Sequence, residues 1–481
     1  MTASTHYDTI IIGAGMSGLA AGIRLAYYEK KVCILERHTI PGGLNSFYRL
    51  GKRDFDVGLH AMTNYVSKDV RQAPLNKLLR QLRLKHEDFE LCPQLESSVR
   101  FPGVALRFSN DFSLFESQVC ETFPKEADGF SRLVQTIRAF NDVDLNAVAQ
   151  STRTVLRDFL SDPLLIDMIL CPLMYYGSAD VDDMDFPQFV IMFKSILCEG
   201  FARPHSGVRQ IVSTLLKKYK ACHGELRMGH GVRKLRVDDG RVSVVELDDG
   251  AELTANQVLS SAGWAETMRL CSDLVPEQQA ETEQAAGRMT FMESLSVLDR
   301  QPQSYGHAET ITFFNNSDRF DYRPAEDLAD PRSGVICCPN NFQYAEPLKE
   351  GLVRVTNIAN YDKWRALSDA DYVAKKREWY ARSVEQAVRF IPDFRPFVSF
   401  VDTFTPRTIE KFTGHINGAV YGAPIKRRDG RTRIKNLYLC GTDQGFLGII
   451  GAMLSGISMA NLHILTTGAG DQGSGARALP Q

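Results

Sequence analysis

Two short apolar runs with a helical stretch between them open the chain. Residues 8–15 read DTIIIGAG, residues 16–30 have helical character, and KVCILE follows at residues 31–36. A short apolar run that breaks into glycine is typical of a buried parallel strand. The order therefore predicts a βαβ unit that opens at residue 8.

Later segments add strands and helices without an internal repeat. Beyond Ser206, apolar residues follow the i, i+3, i+4, i+7 spacing of an amphipathic helix, with the serine as its cap. Two DDG turns within residues 230–263 predict a series of β-hairpins. Residues 290–360 are predicted to be rich in strands, and residues 368–390 are predicted to be helical.

Composition narrows the class of protein. A chain of 481 residues, 44% hydrophobic and 24% charged, is long enough for two or three globular domains. The net charge of −2 gives no electrostatic indication of a surface that binds nucleic acid. The ten cysteines include no CxxC pair, and the N-terminus lacks a basic region before its apolar run, so we expect a cytoplasmic protein with reduced thiols and no structural metal.

The first predicted turn has the pattern of a dinucleotide site. Gly13, Gly15 and Gly18 form GxGxxG between a strand and a helix, and Glu36 ends the next strand. The glycines permit a tight turn and the approach of a pyrophosphate to the helix N-terminus, while the carboxylate can accept hydrogen bonds from ribose hydroxyls and repels a 2′-phosphate. NAD and FAD both fit these residues; a turn that binds nothing is the alternative.

Several stretches together resemble one family of flavoproteins. They are IIGAGMSGLAAGIRLA, ERHTIPGGLNSF, FDVGLH, FPKEADGF, GHGVRKLRV, LSSAGWAET, TPRTIEKFTGHINGAVYG and NLYLCGTDQGFLGIIGAMLSG. In order and spacing the chain resembles the phytoene desaturase, carotenoid isomerase and retinol saturase group of FAD-dependent oxidoreductases, within the amine-oxidase-like superfamily. The resemblance covers nearly the whole chain.

The resemblance implies an α/β fold: a Rossmann-like FAD-binding domain of the glutathione-reductase type, with an inserted α+β substrate domain. The FAD-binding domain would comprise residues 1–70, 206–275 and 406–465, and the substrate domain residues 71–205 and 276–405. Residues 466–481 are polar and rich in glycine, which predicts a disordered tail.

The same resemblance implies the FAD-binding residues. They are Gly13, Gly15, Met16, Ser17, Gly18, Glu36, Arg37, Gly42, Gly43, Leu44, Val232, Ala262, Gly441, Thr442, Asp443, Gly448, Ile449 and Ile450. Val232 matches the position whose backbone meets the adenine. The chain has Thr442 where the family often has an acid, so Asp443 is expected to take the ribityl role, displaced by one residue.

The apolar stretch from Gly441 to Ile464 approaches the length that spans a bilayer. Its polar start and its glycines favour close packing, and hence half of the cofactor site, over a membrane anchor. No second GxGxxG motif stands between a predicted strand and a predicted helix; the pattern recurs only at residues 468–473, in the polar tail. Electrons are therefore expected to pass through a quinone, oxygen or a separate carrier.

The inserted segments suit a long lipophilic substrate. Met168, Met174, Phe189, Met192 and Phe193 lie there among leucines and isoleucines, although the same residues are typical of an ordinary core. Docking on a membrane surface is expected through residues 164–176 or 186–197.

Loss of a hydride from a hydrocarbon leaves a cation that must also shed a proton, so a base is expected near the flavin. The candidate catalytic residues are His60, Arg203, His205 with Glu199, and Tyr175 with its neighbour Tyr176. Structural or solvated roles are the alternatives for each. The acidic run at 180–185 lacks the spacing of a calcium loop, so no metal site is expected there.

The expected activity is desaturation, saturation or isomerisation of a polyene or isoprenoid by hydride transfer to or from flavin N5. Two alternatives remain open: a flavin amine oxidase, which would need an aromatic cage, and a non-catalytic protein that binds flavin or lipid.

Overall fold

The computed structural model describes residues 5–58, 60–141, 148–273 and 275–466. The strands are β1 (Thr5–Ile12), β2 (Val32–Glu36), β3 (Phe47–Leu50), β4 (Arg53–Asp56), β5 (Leu91–Pro93), β6 (Ser97–Phe101), β7 (Val104–Phe108), β8 (Ala202–Pro204), β9 (Glu225–Met228), β10 (Val232–Asp238), β11 (Arg241–Leu247), β12 (Glu252–Ser260), β13 (Thr290–Leu298), β14 (Ile311–Asn315), β15 (Ala329–Cys337), β16 (Gly351–Ala359), β17 (Val398–Phe404) and β18 (Leu437–Leu439).

The helices are α1 (Met16–Tyr27), α2 (Pro74–Leu82), α3 (Phe112–Thr122), α4 (Ala127–Ala139), α5 (Thr152–Arg157), α6 (Pro163–Gly177), α7 (Phe186–Phe193), α8 (Val208–Ala221), α9 (Trp264–Leu270), α10 (Pro276–Gln284), α11 (Tyr361–Arg365), α12 (Asp369–Ala387), α13 (Pro406–Thr413) and α14 (Gly448–Met459). A π-helical turn extends α7, and another continues α14 to Leu465.

The first sheet contains the predicted βαβ unit. Its order is β10-β11-β12-β1-β2-β9, with β18 pairing with β12. The pairs β1–β2, β1–β12, β2–β9 and β12–β18 are parallel, whereas β10, β11 and β12 meet as antiparallel hairpins at the two DDG turns. Helices α1, α2, α8 and α14 bury an apolar core against one face. The carboxyl ends of β1, β2 and β12 therefore lie at one edge, where parallel sheets bind ligands.

The second sheet has the order β17-β13-β16-β15-β14-β6-β7 and is antiparallel except for the β14–β6 pair. Helices α3 to α7 contribute to one large core with β6, β7, β13, β14 and β15. The apolar residues singled out from the sequence at positions 168, 174, 189, 192 and 193 all belong to this core. They stabilise the domain, which was the ordinary alternative for them.

Two expectations from the sequence are corrected by the structure, one by burial and one by the geometry of a helix cap. Nearly all of α6 and α7 is buried in the protein, so residues 164–176 and 186–197 cannot meet a membrane surface in this fold. The serine cap of α8 is also wrong: the N-cap is Gly207, with φ of 69°, a left-handed conformation that favours glycine. Ser206 lies one residue earlier.

Helix 448–465 is, by length and composition, the one described helix that could cross a membrane. More than half of this 18-residue apolar stretch, 56%, is buried inside the protein. Gly456 lies directly against α1, where a Cβ atom would collide with the backbone carbonyl of Ser17. The helix is therefore a packed core element, as its glycines indicated.

Candidate functional site

A single large cavity of about 1100 Å³ begins at the glycine turn after β1 and extends to the wall formed by α6 and β13. Residues from both sheets line it. The cavity therefore joins the glycine motifs of the first sheet to aromatic and aliphatic side chains of the second domain.

The end of the cavity at the glycine turn after β1, the glycine end, is built from main-chain groups. Gly13 has φ of 97°, and Gly42 has φ of 115° and donates its N–H to the Ala14 carbonyl at 2.9 Å. At Gly15, which caps α1 without a side chain, an added Cβ would meet no atom within 4 Å. The start of α1 therefore faces open space with its first N–H groups available to an anion.

Glu36 is held rigidly beside this turn. Its Oε2 accepts from the Ala14 N–H and its Oε1 from the His38 N–H, both at 2.8 Å. Each carboxylate oxygen keeps a lone pair for a further donor, and the residue lines the cavity. These two acceptor oxygens fit the ribose hydroxyls of a dinucleotide.

A second helix begins at the same cavity. Gly448 opens α14 with φ of 72°, and the N-cap residue Leu447 provides no side-chain cap. Two uncapped helix N-termini thus converge on one space, and the positive ends of their dipoles suit a diphosphate. The stretch that could have been an anchor forms the second half of this site.

Most of the predicted cofactor residues line the cavity. Those that do are Gly13, Gly15, Met16, Ser17, Glu36, Arg37, Gly42, Gly43, Leu44, Val232, Ala262, Gly441, Thr442, Gly448 and Ile449. Gly18 instead packs against the Gly13 carbonyl, and Ile450 is fully buried in the helical core.

Asp443, the expected ribityl ligand, is also behind the wall. Its Oδ2 accepts from the Trp264 N–H at 2.5 Å and its Oδ1 from the Ala423 N–H at 2.7 Å. The buried carboxylate ties three separate chain segments together. Its position makes it a support for the cavity wall.

The second end of the cavity is apolar and aromatic. Tyr175, Phe291 and Tyr421 form a connected set, with ring centroids 5.9 Å and 5.7 Å apart, next to Val335 and Leu447. The Tyr175 hydroxyl is paired with Ser333 Oγ at 2.8 Å, and the Tyr421 hydroxyl donates to the Tyr175 carbonyl. With these hydroxyls engaged, the surface suits a hydrocarbon chain.

A chain of buried charges reaches this end from β4 and β8. Arg203 pairs with Asp56, Arg354 donates to the Asp56 carbonyl at 3.2 Å and pairs with Glu293, and Glu293 Oε2 lies 3.4 Å from His60 Nε2. Two cations and two anions alternate, so the charges compensate one another.

The charge pattern fixes the protonation of His60 and Glu293. Burial opposes ionisation of Glu293, but Arg354 and His60 outweigh it and lower its pKa to about 2. Burial lowers the pKa of His60, although Glu293 opposes this shift. At neutral pH the cavity wall therefore presents a carboxylate beside a neutral imidazole.

The candidate catalytic residues are divided by the fold. His60, Tyr175 and Tyr176 line the cavity, whereas Arg203 is buried behind it in the pair with Asp56. His205 is exposed outside the cavity, with its ring against Tyr344 at 5.1 Å. Glu199 also lies outside the lining and accepts from Asn64.

Sequence reasoning missed Glu293, Arg354 and Thr356. All three lie in β13 and β16, which the sequence indicated only as strands. Among the residues that the structure describes, no group of three His, Cys, Asp or Glu side chains is placed to hold a metal ion. The acidic run instead makes protein contacts: Asp182 accepts from the Tyr322 N–H at 2.7 Å.

Comparisons with known proteins place the chain among redox enzymes. A family profile described as an NAD(P)-binding Rossmann-like domain matches residues 11–82. The chain is 23% identical to the prolycopene isomerase of Arabidopsis thaliana over 95% of its own length and 82% of that protein. It is 24% identical to the lycopene-forming phytoene desaturase of Pseudescherichia vulneris, over 95% of its own length and 99% of that protein.

The fold is shared with solved oxidases. A variant of putrescine oxidase superposes with a TM-score of 0.65 at 17% identity, covering 96% of this chain and 99% of that one. At this identity the likeness concerns the fold. It confirms the Rossmann-like α/β domain with an inserted second domain.

Proposed function

Because this chain is a relative of the phytoene desaturase, carotenoid isomerase and retinol saturase group of oxidoreductases, we propose that it is an FAD-dependent enzyme of lipophilic polyenes or isoprenoids. It would desaturate, saturate or isomerise a bond of the carbon chain. The continuity of one cavity from Glu36 to Phe291 carries the proposal, since a cofactor and an apolar substrate can share it.

The residues at the glycine end would hold FAD. The α1 and α14 N-termini would hold the diphosphate, Glu36 the adenosine ribose, and Val232 would face the adenine. When bound, the isoalloxazine supplies a hydride acceptor or donor at N5.

The protein's own task is to position a carbon chain and exclude water. An apolar wall that offers such a chain few polar contacts would do this. It is formed by Tyr175, Phe291, Val335, Tyr421 and Leu447.

His60 would move the proton that desaturation or saturation requires. The ionised Glu293 can only accept a hydrogen bond, so the proton of the neutral imidazole resides on Nε2, which also lies 3.1 Å from Thr356 Oγ1. His60 Nδ1 is then the atom left to accept or return a proton. Arg203 and His205 have no part in this assignment.

Electrons would enter or leave through a quinone, oxygen or a separate carrier. Only one glycine fingerprint, at residues 13–18, follows a strand and opens a helix, and this supports the proposal, since a bound nicotinamide donor would need a second nucleotide domain. A cytoplasmic enzyme that meets membranes peripherally is consistent with a lipophilic substrate.

An amine oxidase remains the rival, and the lining argues against it. The aromatic set of Tyr175, Phe291 and Tyr421 is in mutual contact rather than arranged as two rings facing across a gap. Among the described lining residues the one lysine is Lys376, whose Nζ lies 3.9 Å from Asp402 Oδ1.

Anaerobic mixing of the purified protein with a panel of polyenes and isoprenoids tests the proposal. Bleaching of oxidised flavin with a more conjugated product would identify a desaturase. A changed product only with prereduced flavin would identify a saturase if the flavin ends oxidised, and an isomerase if it stays reduced. Bleaching by amines but by no lipid would establish the rival, and a flavin that no substrate reduces or uses would indicate a non-catalytic binding protein.

A further inference from the structure

A second buried ion pair lies at the glycine end of the cavity. His415 Nδ1 is 3.4 Å from Glu266 Oε1, and their side chains are only 13% and 17% exposed. Both residues line the cavity. Neither was a candidate from the sequence, and the chemistry proposed above does not use them.

The local structure locks this pair in place. Gly414 ends α13 with φ of 81°, so the chain reverses sharply and His415 leaves the helix toward the cavity. Glu266 stands in the first turn of α9, and its Oε1 accepts from the Ile416 N–H at 2.8 Å. The carboxylate thus holds both the ring and the backbone beside it.

The charges that face His415 favour its protonated form. Burial lowers the pKa of the imidazole, but the hydrogen bond and charge of Glu266 outweigh this and raise it, with help from Asp443 and opposition from Arg37. Burial also opposes ionisation of Glu266, whose pKa is nevertheless lowered, chiefly by His415. Both shifts favour the ionic form of the pair over the neutral one.

His415 has a donor to spare. Nδ1 is engaged by Glu266, and Nε2 has no partner among the described residues. Glu36, whose oxygens face the ribose region, and the uncapped start of α1 line the same cavity. A dinucleotide bound there would bring its negatively charged diphosphate to this end of the cavity.

We propose that His415 is a binding residue for the cofactor diphosphate, donating a charge-assisted hydrogen bond from Nε2, and that Glu266 is its positioning residue. The inference rests on the proposed binding of FAD. It adds a cation beside Arg37, which also lines this end of the cavity, and it makes FAD affinity depend on pH.

The test is the dissociation constant of FAD between about pH 6 and pH 9, measured by ultrafiltration of the purified protein and flavin fluorescence of the filtrate. At the acidic end, His415→Gln is expected to bind FAD roughly tenfold or more weakly than wild type, the usual effect of losing a charged hydrogen bond. Wild-type affinity should fall as pH rises and the imidazolium is neutralised, so that the two curves converge.

Two further variants sharpen the experiment. In Glu266→Gln the fall in FAD affinity should occur at lower pH than in wild type, because the amide no longer favours the imidazolium. His230→Gln is the matched control: His230 also faces a carboxylate, Asp249 at 3.7 Å, but neither residue lines the cavity, so FAD affinity should not change.

Riboflavin separates charge from packing because it has no phosphate. Wild type and His415→Gln should bind it equally. The inference would be overturned, and the proposed function left intact, by either of two results. One is that His415→Gln loses as much affinity for riboflavin as for FAD; the other is that FAD affinity has the same pH dependence in variant and wild type. A wild-type protein that retains no FAD at any pH would overturn the proposed function, and the inference with it.

Discussion

His60 Nε2 lies 3.4 Å from Glu293 Oε2 at the wall of the cavity, and the two residues come from chain segments more than two hundred positions apart. The imidazole is neutral and the carboxylate ionised, because burial lowers the pKa of His60 while Arg354 keeps Glu293 charged. Such a pair holds one histidine tautomer ready for proton transfer.

Replacing His60 should remove that proton transfer. We expect His60→Gln to lower kcat by roughly a hundredfold or more, the usual contribution of a general acid or base. Flavin content should stay at the wild-type level, since the residue belongs to the apolar end of the cavity. Single-turnover flavin absorbance with the active polyene checks this; an unchanged rate would give His60 a structural role.

Breaking the ion pair behind His60 should cost stability. Glu293→Gln leaves Arg354 buried without its anionic partner, and removal of one member of a buried pair destabilises by about 3–5 kcal/mol. The double variant Glu293→Gln with Arg354→Met should lose less, because no uncompensated charge remains. Urea denaturation of both variants decides, and equal losses would contradict the ion-pair account.

The same carboxylate predicts a dependence of stability on pH. The pKa of Glu293 falls from 4.5 to about 2 in the folded protein. Its contribution is therefore complete above about pH 4.5 and is lost as pH falls toward 2. The double variant should have a flatter melting temperature across this acidic range than wild type. A parallel decline in both proteins would assign the acid sensitivity to other groups.

Substitutions at two glycines should have different effects, one on cofactor binding and the other on folding. At Gly15 an added Cβ meets only open cavity, so Gly15→Ala should fold normally, at a cost of less than about 1 kcal/mol, but bind FAD more weakly. At Gly456 the Cβ would collide with the Ser17 carbonyl, so Gly456→Ala should separate α1 from α14 and lower the melting temperature even without cofactor.

Melting temperature and FAD affinity, measured on both variants, check this contrast. A Gly456→Ala protein with wild-type melting temperature and a full complement of bound FAD would show that the two helices can move apart without loss of stability. Unchanged FAD affinity in Gly15→Ala would place the diphosphate elsewhere.

The sequence by itself determined the glycine end of the site. Gly13, Gly15 and Glu36 belong to one short βαβ unit, in which strand, turn and helix are adjacent in the chain and backbone geometry sets their positions. Local sequence is sufficient there, because the tight turn and the approach of a phosphate depend on glycine itself.

Only the tertiary structure decided the other end. Glu293 faces Thr356 in the antiparallel register of β13 and β16, and Arg354, two residues from Thr356, shares their face of the sheet. Asp443 likewise proved to be a support for the wall, and His415 met Glu266 only because α13 returns to α9. Sheet register and the return of distant segments depend on packing of the whole chain, and no local pattern records which charge will meet which partner.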